Sequence, residues 1–301
     1  MSGAFKLFND YTFLVVALGC AVFGIVSGVT GCFAVLRRQS LLGDGISHAS
    51  LPGIVAAFLL TGSLSTEILQ LGAFTSGLAA TFIMLCVAKF SRIKPDSALT
   101  LVMSVFFGLG LVLLTYAQKR PDANQAGISR FIYGQASTML LRDTAVIAVV
   151  GTLILLITML FWKEFTLLSF DTEFARSTGL KTHRLDILMS LLFVITIITG
   201  LQTVGVVLMS AMLISPAVAA RQWTDSLTVM TVLAAIFGAA AGMSGASISS
   251  AAAGIPTGAS IVVSVSAIAV FSLLFAPSRG VVAKILRRKK LIRRNQRESR
   301  I

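Results

Sequence analysis

The feature that most constrains this chain is the length of its uncharged apolar segments. A helix needs about 20 apolar residues to cross the hydrocarbon core of a membrane, and stretches of that order occupy residues 12–36, 45–66, 68–88, 97–118 and 144–162. Two further stretches, 187–220 and 226–278, are too long for one ordinary span, and glycine and proline interrupt both. We therefore predict an all-α integral membrane protein, a polytopic bundle of about nine transmembrane helices. Eight is the near alternative, and some helices should be short or broken.

The composition excludes an ordinary soluble domain, and the pattern excludes a transmembrane β-barrel. Apolar residues make up 56% of the 301 residues and charged residues only 12%, about half the share of roughly 25% found in soluble chains. The apolar runs are continuous, whereas the strands of a barrel alternate. Cys20, Cys32 and Cys86 lie in apolar runs, which predicts buried packing residues. No small-residue cleavage site precedes the first run, so we expect a membrane helix there rather than a cleaved signal peptide.

The distribution of charge predicts the orientation. The formal net charge is +13, and residues 279–301 hold ten Lys and Arg against one Glu. With nine spans and this tail inside, 20 of the 25 basic residues face the cytoplasm, as the positive-inside rule requires. The amino terminus is then outside, loop 119–143 outside and loop 163–186 inside. We interpret 1–278 as one membrane domain and 279–301 as a basic cytoplasmic tail that suits membrane lipid or a soluble subunit, not nucleic acid.

One carboxylate stands apart from the other eleven. Asp44 alone lies within an apolar helical run, LLGDGISHASLPGIVAAFLLTG, whereas the other acids fall at span ends, in loops or in the tail. His48 follows four residues later, so both side chains lie on one helical face. Pro52 cannot donate to the carbonyl of His48, and we expect a kink there. The freed carbonyl needs a partner in an apolar medium.

The Asp44–His48 pair has two interpretations. A carboxylate and an imidazole suit Zn²⁺, Mn²⁺ or Fe²⁺, and an ionisable pair inside a membrane is a functional-site hypothesis by default. Two ligands are too few to hold an ion, so a copy of the helix across a two-fold axis would supply two more. In the alternative, Asp44 caps the helix near the cytoplasmic interface and His48 is a packing residue. The other histidine, His183, is interpreted as a loop residue.

The predicted cytoplasmic loop contains a short amphipathic segment, 170–180. We expect Asp171 to cap a helix and Gly179 to end it. Phe174 and Ala175 would form the apolar side. Such a helix could dock in a groove of a cytosolic partner or lie flat on the lipid surface. The chain contains no G-x-x-x-x-G-K-[ST] phosphate loop and no convincing nucleophile–base pair, so uphill transport would need a partner or an ion gradient.

Seven blocks of sequence carry a more specific signal because they occur together and in order. They are LRRQSLLGDGISHASLPGI (36–54), FFGLGLVLLT (106–115), FIYGQA (131–136), FDTEFARSTGL (170–180), GLQTVGVVLMSAMLISPAVAARQW (200–223), GIPTGASIVV (254–263) and FAPSRG (275–280). Together they resemble the permeases of ATP-binding-cassette importers of the manganese, zinc and iron type. The blocks are distributed between residues 36 and 280, so the resemblance extends over most of the chain apart from the first dozen residues and the tail. The resemblance implies a type II importer-like bundle that acts as a transport subunit and not as an enzyme.

The resemblance also assigns roles by position. Asp44 and His48 match the acidic and histidine positions where the membrane metal site of the family is expected. The segment that docks on the ATPase corresponds to Phe170, Asp171, Glu173, Phe174, Ala175 and Gly179. The helix kink and the broken-helix block, whose unwound backbone lines the path, correspond to Pro52, Gly205, Ser210 and Pro216.

The implied partners are a second permease copy or a sister permease, a cytosolic pair of ATPase subunits and an extracytoplasmic metal-binding receptor. The implied location is the bacterial cytoplasmic (inner) membrane. No permanently bound cofactor is implied, since the divalent ion is the cargo. We predict the permease subunit of an ATP-driven divalent metal importer, with Mn²⁺ favoured over Zn²⁺ and Fe²⁺.

Three other functions remain open at this point. A gradient-driven secondary transporter could use Asp44 and His48 as a proton relay at a broken helix. A membrane-embedded metalloenzyme would need further ligands or a base in the bilayer. An importer of chelated metal or cobalamin-like ligands would need a wide cavity between two permeases.

Overall fold

The computed structural model describes residues 11–119, 134, 139–206, 209–251, 255–277 and 279–285. These residues form no strand and twelve helices, with a further helical stretch at 281–285. The twelve helices are α1 Tyr11–Leu36, α2 Leu42–Ala49, α3 Leu51–Thr61, α4 Thr66–Phe90, α5 Pro95–Gln118, α6 Leu141–Leu160, α7 Trp162–Phe170, α8 Thr172–Ser177, α9 Thr182–Val204, α10 Met209–Arg221, α11 Leu227–Ala251 and α12 Thr257–Phe275. The predicted all-α membrane bundle is confirmed.

The number of spans depends on how the short helix α10 is counted. Within the described part of the chain, eight helices are long and apolar enough to cross a membrane when α2 and α3 are taken together as Leu42–Thr61. Helix α10 has 13 residues, about 20 Å of rise, and cannot span the hydrocarbon core alone. The stretch 187–220 divides at Gly205 into one full-length helix, α9, and one short helix. Gly200 and Pro216 were also expected to interrupt it, but they lie inside α9 and α10.

One end of the bundle is marked by basic residues. The guanidinium of Arg37, just after α1, forms an ion pair with Asp186 in the first turns of α9. The thiol of Cys32 lies 3.8 Å from the carbonyl of Met230 near the start of α11. Helix α1 therefore ends where α9 and α11 begin. We call this end of the bundle the basic face.

The opposite face gathers the starts of three other helices. The hydroxyl of Thr144 in α6 donates to the carbonyl of Val15 in α1 at 3.2 Å. Arg142 forms an ion pair with Glu67 in the first turn of α4 at 2.8 Å. Helices α1, α4 and α6 therefore all start at this face and run towards the basic face.

The longest helices meet along two glycine pairs. A Cβ placed on Gly24 of α1 would clash with the carbonyl of Gly238 in α11, and one placed on Gly242 would clash with the carbonyl of Cys20. Gly28 meets Ala234 in the same way. We call Gly24, Gly28, Gly238 and Gly242 the glycine seam. The GxxxG spacing in each helix lets the two backbones touch directly.

The predicted loop 163–186 is largely helical, which corrects the sequence-based expectation. Helix α7 continues α6 after a break at Phe161, and its aromatic side chains pack edge-on against Phe33 near the end of α1. The ring centroids of Trp162 and Phe165 lie 5.7 and 6.0 Å from that of Phe33. His183, interpreted as a loop residue, is exposed in the first turn of α9.

Several predicted features lie outside the described residues. They include the amino-terminal segment with Lys6, most of the loop after α5 with Arg120 and Arg130, and residues 286–301 of the basic tail. Of the FIYGQA block only Gly134 is described. At the start of the tail, Arg279 forms an ion pair with Asp225, in the turn between α10 and α11. Helix α12 therefore ends at the basic face.

Candidate functional site

Helix α2 presents Asp44 and His48 side by side. The Nε2 atom of His48 lies 3.3 Å from Oδ1 of Asp44, and the two side chains are 20% and 39% exposed. Two donors bound to one tetrahedral ion at about 2.1 Å lie roughly 3.4 Å apart. The pair therefore has the donor spacing that a shared cation requires, and both side chains open onto the surface of the chain.

Along the bundle axis, the pair lies at some depth from the basic face rather than level with it. Leu213 of α10 packs against both Gly31 of α1 and Gly43 of α2, so Gly31 and Gly43 share a depth. Helix α1 continues for five residues beyond Gly31, a rise of about 8 Å, before it ends at the basic face. The turn that follows α1 folds back into the bundle and carries Asp44 with it.

The capping interpretation of Asp44 is wrong. The N-cap of α2 is Leu41, and no side chain makes a capping hydrogen bond there. Asp44 occupies the first turn of the helix, where the helix dipole stabilises a carboxylate. Its side chain therefore remains available to His48 and to a cation.

The helix is interrupted at Ser50, two residues after His48. Helix α2 ends at Ala49, and α3 begins at Leu51 with Pro52 in its first turn. The hydroxyl of Ser76 in α4 donates to the carbonyl of Ala49 at 2.6 Å. A backbone group at the break thus finds a side-chain partner, as an apolar medium requires.

Helix α5 packs against the imidazole of His48. The ring of Phe107 in α5 packs edge-on against the imidazole, with centroids 4.8 Å apart. The Nδ1 atom of His48 is buried and has no hydrogen-bond partner among the described residues. Neither Ser76 nor Phe107 was identified from the sequence, because each lies on another span and belongs to no motif around Asp44.

The residues predicted to belong to a broken helix lie just after α9 and in α10. Helix α9 ends at Gly205, whose φ of +88° favours glycine. Ser210 is in the first turn of α10, and a Cβ placed on Gly43 would lie 3.2 Å from its Cα atom. Pro216 is buried in the interior of α10. The structure therefore brings Ser210 next to the start of α2, whereas Pro216 is farther along α10.

The segment predicted to dock on an ATPase forms the short helix α8. The carboxylate of Asp171 accepts a hydrogen bond from the backbone N–H of Phe174 at 2.9 Å, which confirms the predicted cap. Gly179 follows the helix with a φ of +83°, which confirms the predicted stop.

The two sides of α8 differ from the sequence-based expectation. Ala175 is fully buried, whereas Phe174 is 54% exposed, so the two do not share one apolar side. Phe170, at the end of α7, is 58% exposed, and Glu173 is also exposed. Helix α8 is anchored through Ala175 and presents the ring of Phe174 outward, while the ring of Phe170 is exposed at the end of α7.

The chemistry available at this site is binding and release. No cluster of three or more His, Cys, Asp and Glu side chains that could hold a metal ion occurs in the part of the chain that the structure describes. A site with two donors from one chain binds an ion weakly unless other groups complete the coordination.

Comparison with known proteins identifies the family. Residues 9–276 match the ABC 3 transport family. The chain belongs to this family. It is therefore a multi-pass transport permease rather than an enzyme, and ATP is hydrolysed by a separate subunit, as predicted.

The most informative relatives of this ABC 3 family member are membrane proteins of transport systems. The zinc transport system membrane protein TroC of Treponema pallidum is 47% identical over 97% of this chain and 98% of its own length. The manganese transport system membrane protein MntC of Bacillus subtilis is 43% identical over 94% of this chain, which spans 65% of that relative.

Solved structures support the same fold for this permease. The structure of PsaBC from Streptococcus pneumoniae in complex with Fab has a TM-score of 0.80 and 31% identity, over 93% of this chain and 98% of that chain. A protein described as a metal-chelate type ABC transporter, in an inward-facing conformation, has a TM-score of 0.65 at 18% identity. The second similarity concerns the fold alone.

Proposed function

We propose that this permease carries a divalent metal ion through the membrane, by way of a transient site formed by Asp44 and His48. The single observation that carries the proposal is the 3.3 Å separation of a carboxylate oxygen and an imidazole nitrogen beside a broken membrane helix. Ionisable side chains inside a membrane are energetically costly, and they mark pathways for ions.

The cargo we favour is Mn²⁺, with Zn²⁺ and Fe²⁺ as rivals. A carboxylate suits Mn²⁺ and an imidazole suits all three ions. The relatives support this group, since TroC is named for zinc and MntC for manganese. The Asp44–His48 pair offers oxygen and nitrogen ligands and no sulfur ligand, which disfavours Cu(I).

A second copy of the permease, or a sister permease, completes the site in this proposal. Asp44 is 39% exposed in the single chain, and a carboxylate facing lipid tails would be strongly unfavourable. Next to Phe107, the exposed side of α5 carries the small residues Thr100, Ser104 and Gly108, which allow close approach of another helix. Two Asp and two His side chains across a two-fold axis would then surround one ion.

Helix α8 is the docking element for the ATPase in this proposal. The exposed rings of Phe170 and Phe174 offer an apolar contact, while the buried Ala175 and the cap by Asp171 hold the helix against the bundle. The positive-inside rule supports a cytoplasmic assignment for the basic face. The amino terminus is then outside, and residues 1–278 form one permease domain with a cytoplasmic tail.

The mechanism is alternating access. A metal-binding receptor delivers the ion at the outer face, and ATP binding by the docked subunits shifts the paired permeases. The ion passes from the segment around Gly205 and Ser210 to the Asp44–His48 site. It then leaves at the basic face. The site must hold the ion briefly, because a closed cage of four strong ligands would trap it.

The test uses the complete transporter in proteoliposomes with ATP inside. Asp44→Ala and His48→Ala should each reduce metal uptake to the level of vesicles without the transporter, while the assembly with the ATPase persists. Matched controls are Asp96→Ala, at the exposed start of α5, and His183→Ala, the other histidine; both should transport normally. Normal uptake by both site variants would refute the assignment.

The same preparation separates the rival functions. Titration of ATPase activity with Mn²⁺, Zn²⁺ and Fe²⁺ identifies the cargo by the ion that stimulates hydrolysis at the lowest concentration. Uptake that needs ATP and survives a protonophore contradicts a gradient-driven transporter. Stimulation by a metal chelate and not by the free ions would favour the chelate importer.

A further inference from the structure

The end of α1 at the basic face is fastened to both helices that flank α8. On one flank, Phe33 packs against Trp162 and Phe165 of α7. On the other, Arg37 forms an ion pair with Asp186 of α9. Since α7, α8 and α9 are consecutive, a displacement of α8 reaches the end of α1 from both sides.

The ion pair between Arg37 and Asp186 is partly buried. The side chain of Arg37 is 14% exposed and that of Asp186 is 33% exposed. A second guanidinium nitrogen of Arg37 donates to Sδ of Met189, one turn further along α9, at 3.2 Å. An arginine fixed at two points holds a definite orientation between two helices. Removing either charge leaves the other partly desolvated.

A short turn with several backbone hydrogen bonds connects Arg37 to Asp44. Within it, the N–H of Gln39 donates to the carbonyl of Ala34 at 2.9 Å, and the N–H of Leu42 donates to the carbonyl of Gln39 at 3.1 Å. The N–H of Gly45 donates to the carbonyl of Leu41 at 2.9 Å. The end of α1, the turn and the first turn of α2 therefore form one hydrogen-bonded unit that ends at the Asp44 carboxylate.

We propose that Arg37 is a positioning residue that couples the ATPase-docking helix to the metal site. When α8 moves, α9 moves with it, and the ion pair between Asp186 and Arg37 transmits the movement to the end of α1. The hydrogen-bonded turn then moves Asp44 relative to Asp44 of the second permease. The inference rests on the proposed function, because it assumes that Asp44 binds the cargo and that α8 docks on the ATPase. It adds the residue pair through which the two are linked.

The chain contains a second arginine–aspartate pair that serves as a control, and its side chains are more exposed, at 44% and 72%. Arg279 and Asp225 form a second ion pair at the basic face. That pair joins the segment after α12 to the turn between α10 and α11, and neither residue belongs to the α7–α9 segment or to the turn before α2. Loss of a charge there tests the general effect of breaking an arginine–aspartate pair at this face.

The experiment measures metal ions transported per ATP hydrolysed in proteoliposomes containing the complete transporter. Arg37→Gln and Asp186→Asn should each lower this ratio by roughly tenfold, within the usual range of coupling between sites, while ATP hydrolysis and the assembly persist. The double exchange Arg37→Asp with Asp186→Arg should recover most of the ratio. Arg279→Gln and Asp225→Asn should leave the ratio unchanged.

The outcomes test the role of the Arg37–Asp186 pair separately from the proposed function. An unchanged ratio in Arg37→Gln and Asp186→Asn overturns it. A parallel loss of uptake, hydrolysis and thermal stability without recovery in the double exchange also overturns it, because the pair would then be structural. Failure of the unsubstituted transporter to take up any of the three ions refutes the proposed function instead.

Discussion

The glycine seam and the broken helix α2–α3 use small or unusual residues for opposite purposes. At the seam, glycines bring the backbones of α1 and α11 into contact, and a Cβ would have no room. At the break, Pro52 follows the interruption of a helix and Ser76 donates to a carbonyl there. Nδ1 of His48 has no hydrogen-bond partner in the part of the chain that the structure describes. The close backbone contact at the seam holds α1 and α11 in one arrangement. The break between α2 and α3 leaves polar groups that can still bind an ion or a partner.

The largest change in stability is expected at the glycine seam. Gly238→Ala places a methyl group against the carbonyl of Gly24, and the two helices must move apart. Overpacking of this kind destabilises by about 1–3 kcal/mol, measured as a lower thermal midpoint and a lower yield of monodisperse protein. Val232→Ile is the control, since it adds a methylene group to a side chain of the same helix that is 55% exposed. Equal stability of the two variants would contradict the role of the seam.

A smaller effect, on metal uptake, is expected at the break between α2 and α3. In Pro52→Ala the new N–H can donate to the carbonyl of His48, so α2 and α3 become one straighter helix. The protein should stay folded, but Asp44 and His48 shift against Phe107. We expect uptake to fall by roughly threefold to thirtyfold, corresponding to about 0.5–2 kcal/mol. Pro95→Ala is the control, because Pro95 is the first residue of α5, a position that tolerates proline.

The smallest effect concerns the turn that joins the two regions. Arg38 has a φ of +58°, at a helix end where glycine is usual. Arg38→Gly removes that strain but gives the unfolded chain more freedom, so the net stabilisation should be about 0.5 kcal/mol. Arg38→Lys retains both the charge and the strain and should leave the thermal midpoint unchanged. A loss of stability in the glycine variant would contradict the account of this turn.

Local patterns predicted much of this molecule. Apolar runs gave the long helices, and residue types at fixed offsets gave the cap at Asp171 and the stop at Gly179. Asp44 and His48 were adjacent because a helix places residues four apart on one side. Each of these features depends only on residues close in sequence.

Features that depend on packing between distant helices were missed. The GxxxG spacing of Gly24 and Gly28 and of Gly238 and Gly242 does not show in the sequence that the two motifs face each other. Ser76 and Phe107 reach the site from α4 and α5, and nothing near them in the sequence indicates that. Phe174 and Ala175 were expected on one side, but they are adjacent in the chain and point in different directions on a helix.

The short helix α10 has a consequence for how the protein enters the membrane. At about 20 Å, it is too short to be inserted as an independent span, and its first residue, Met209, packs beside Gly200 of α9. Helices α9 and α10 should therefore leave the translocon as a single hairpin. A ribosome-stalled intermediate that ends just after α10 should be integrated, and removal of α9 from it should release α10 to the aqueous side.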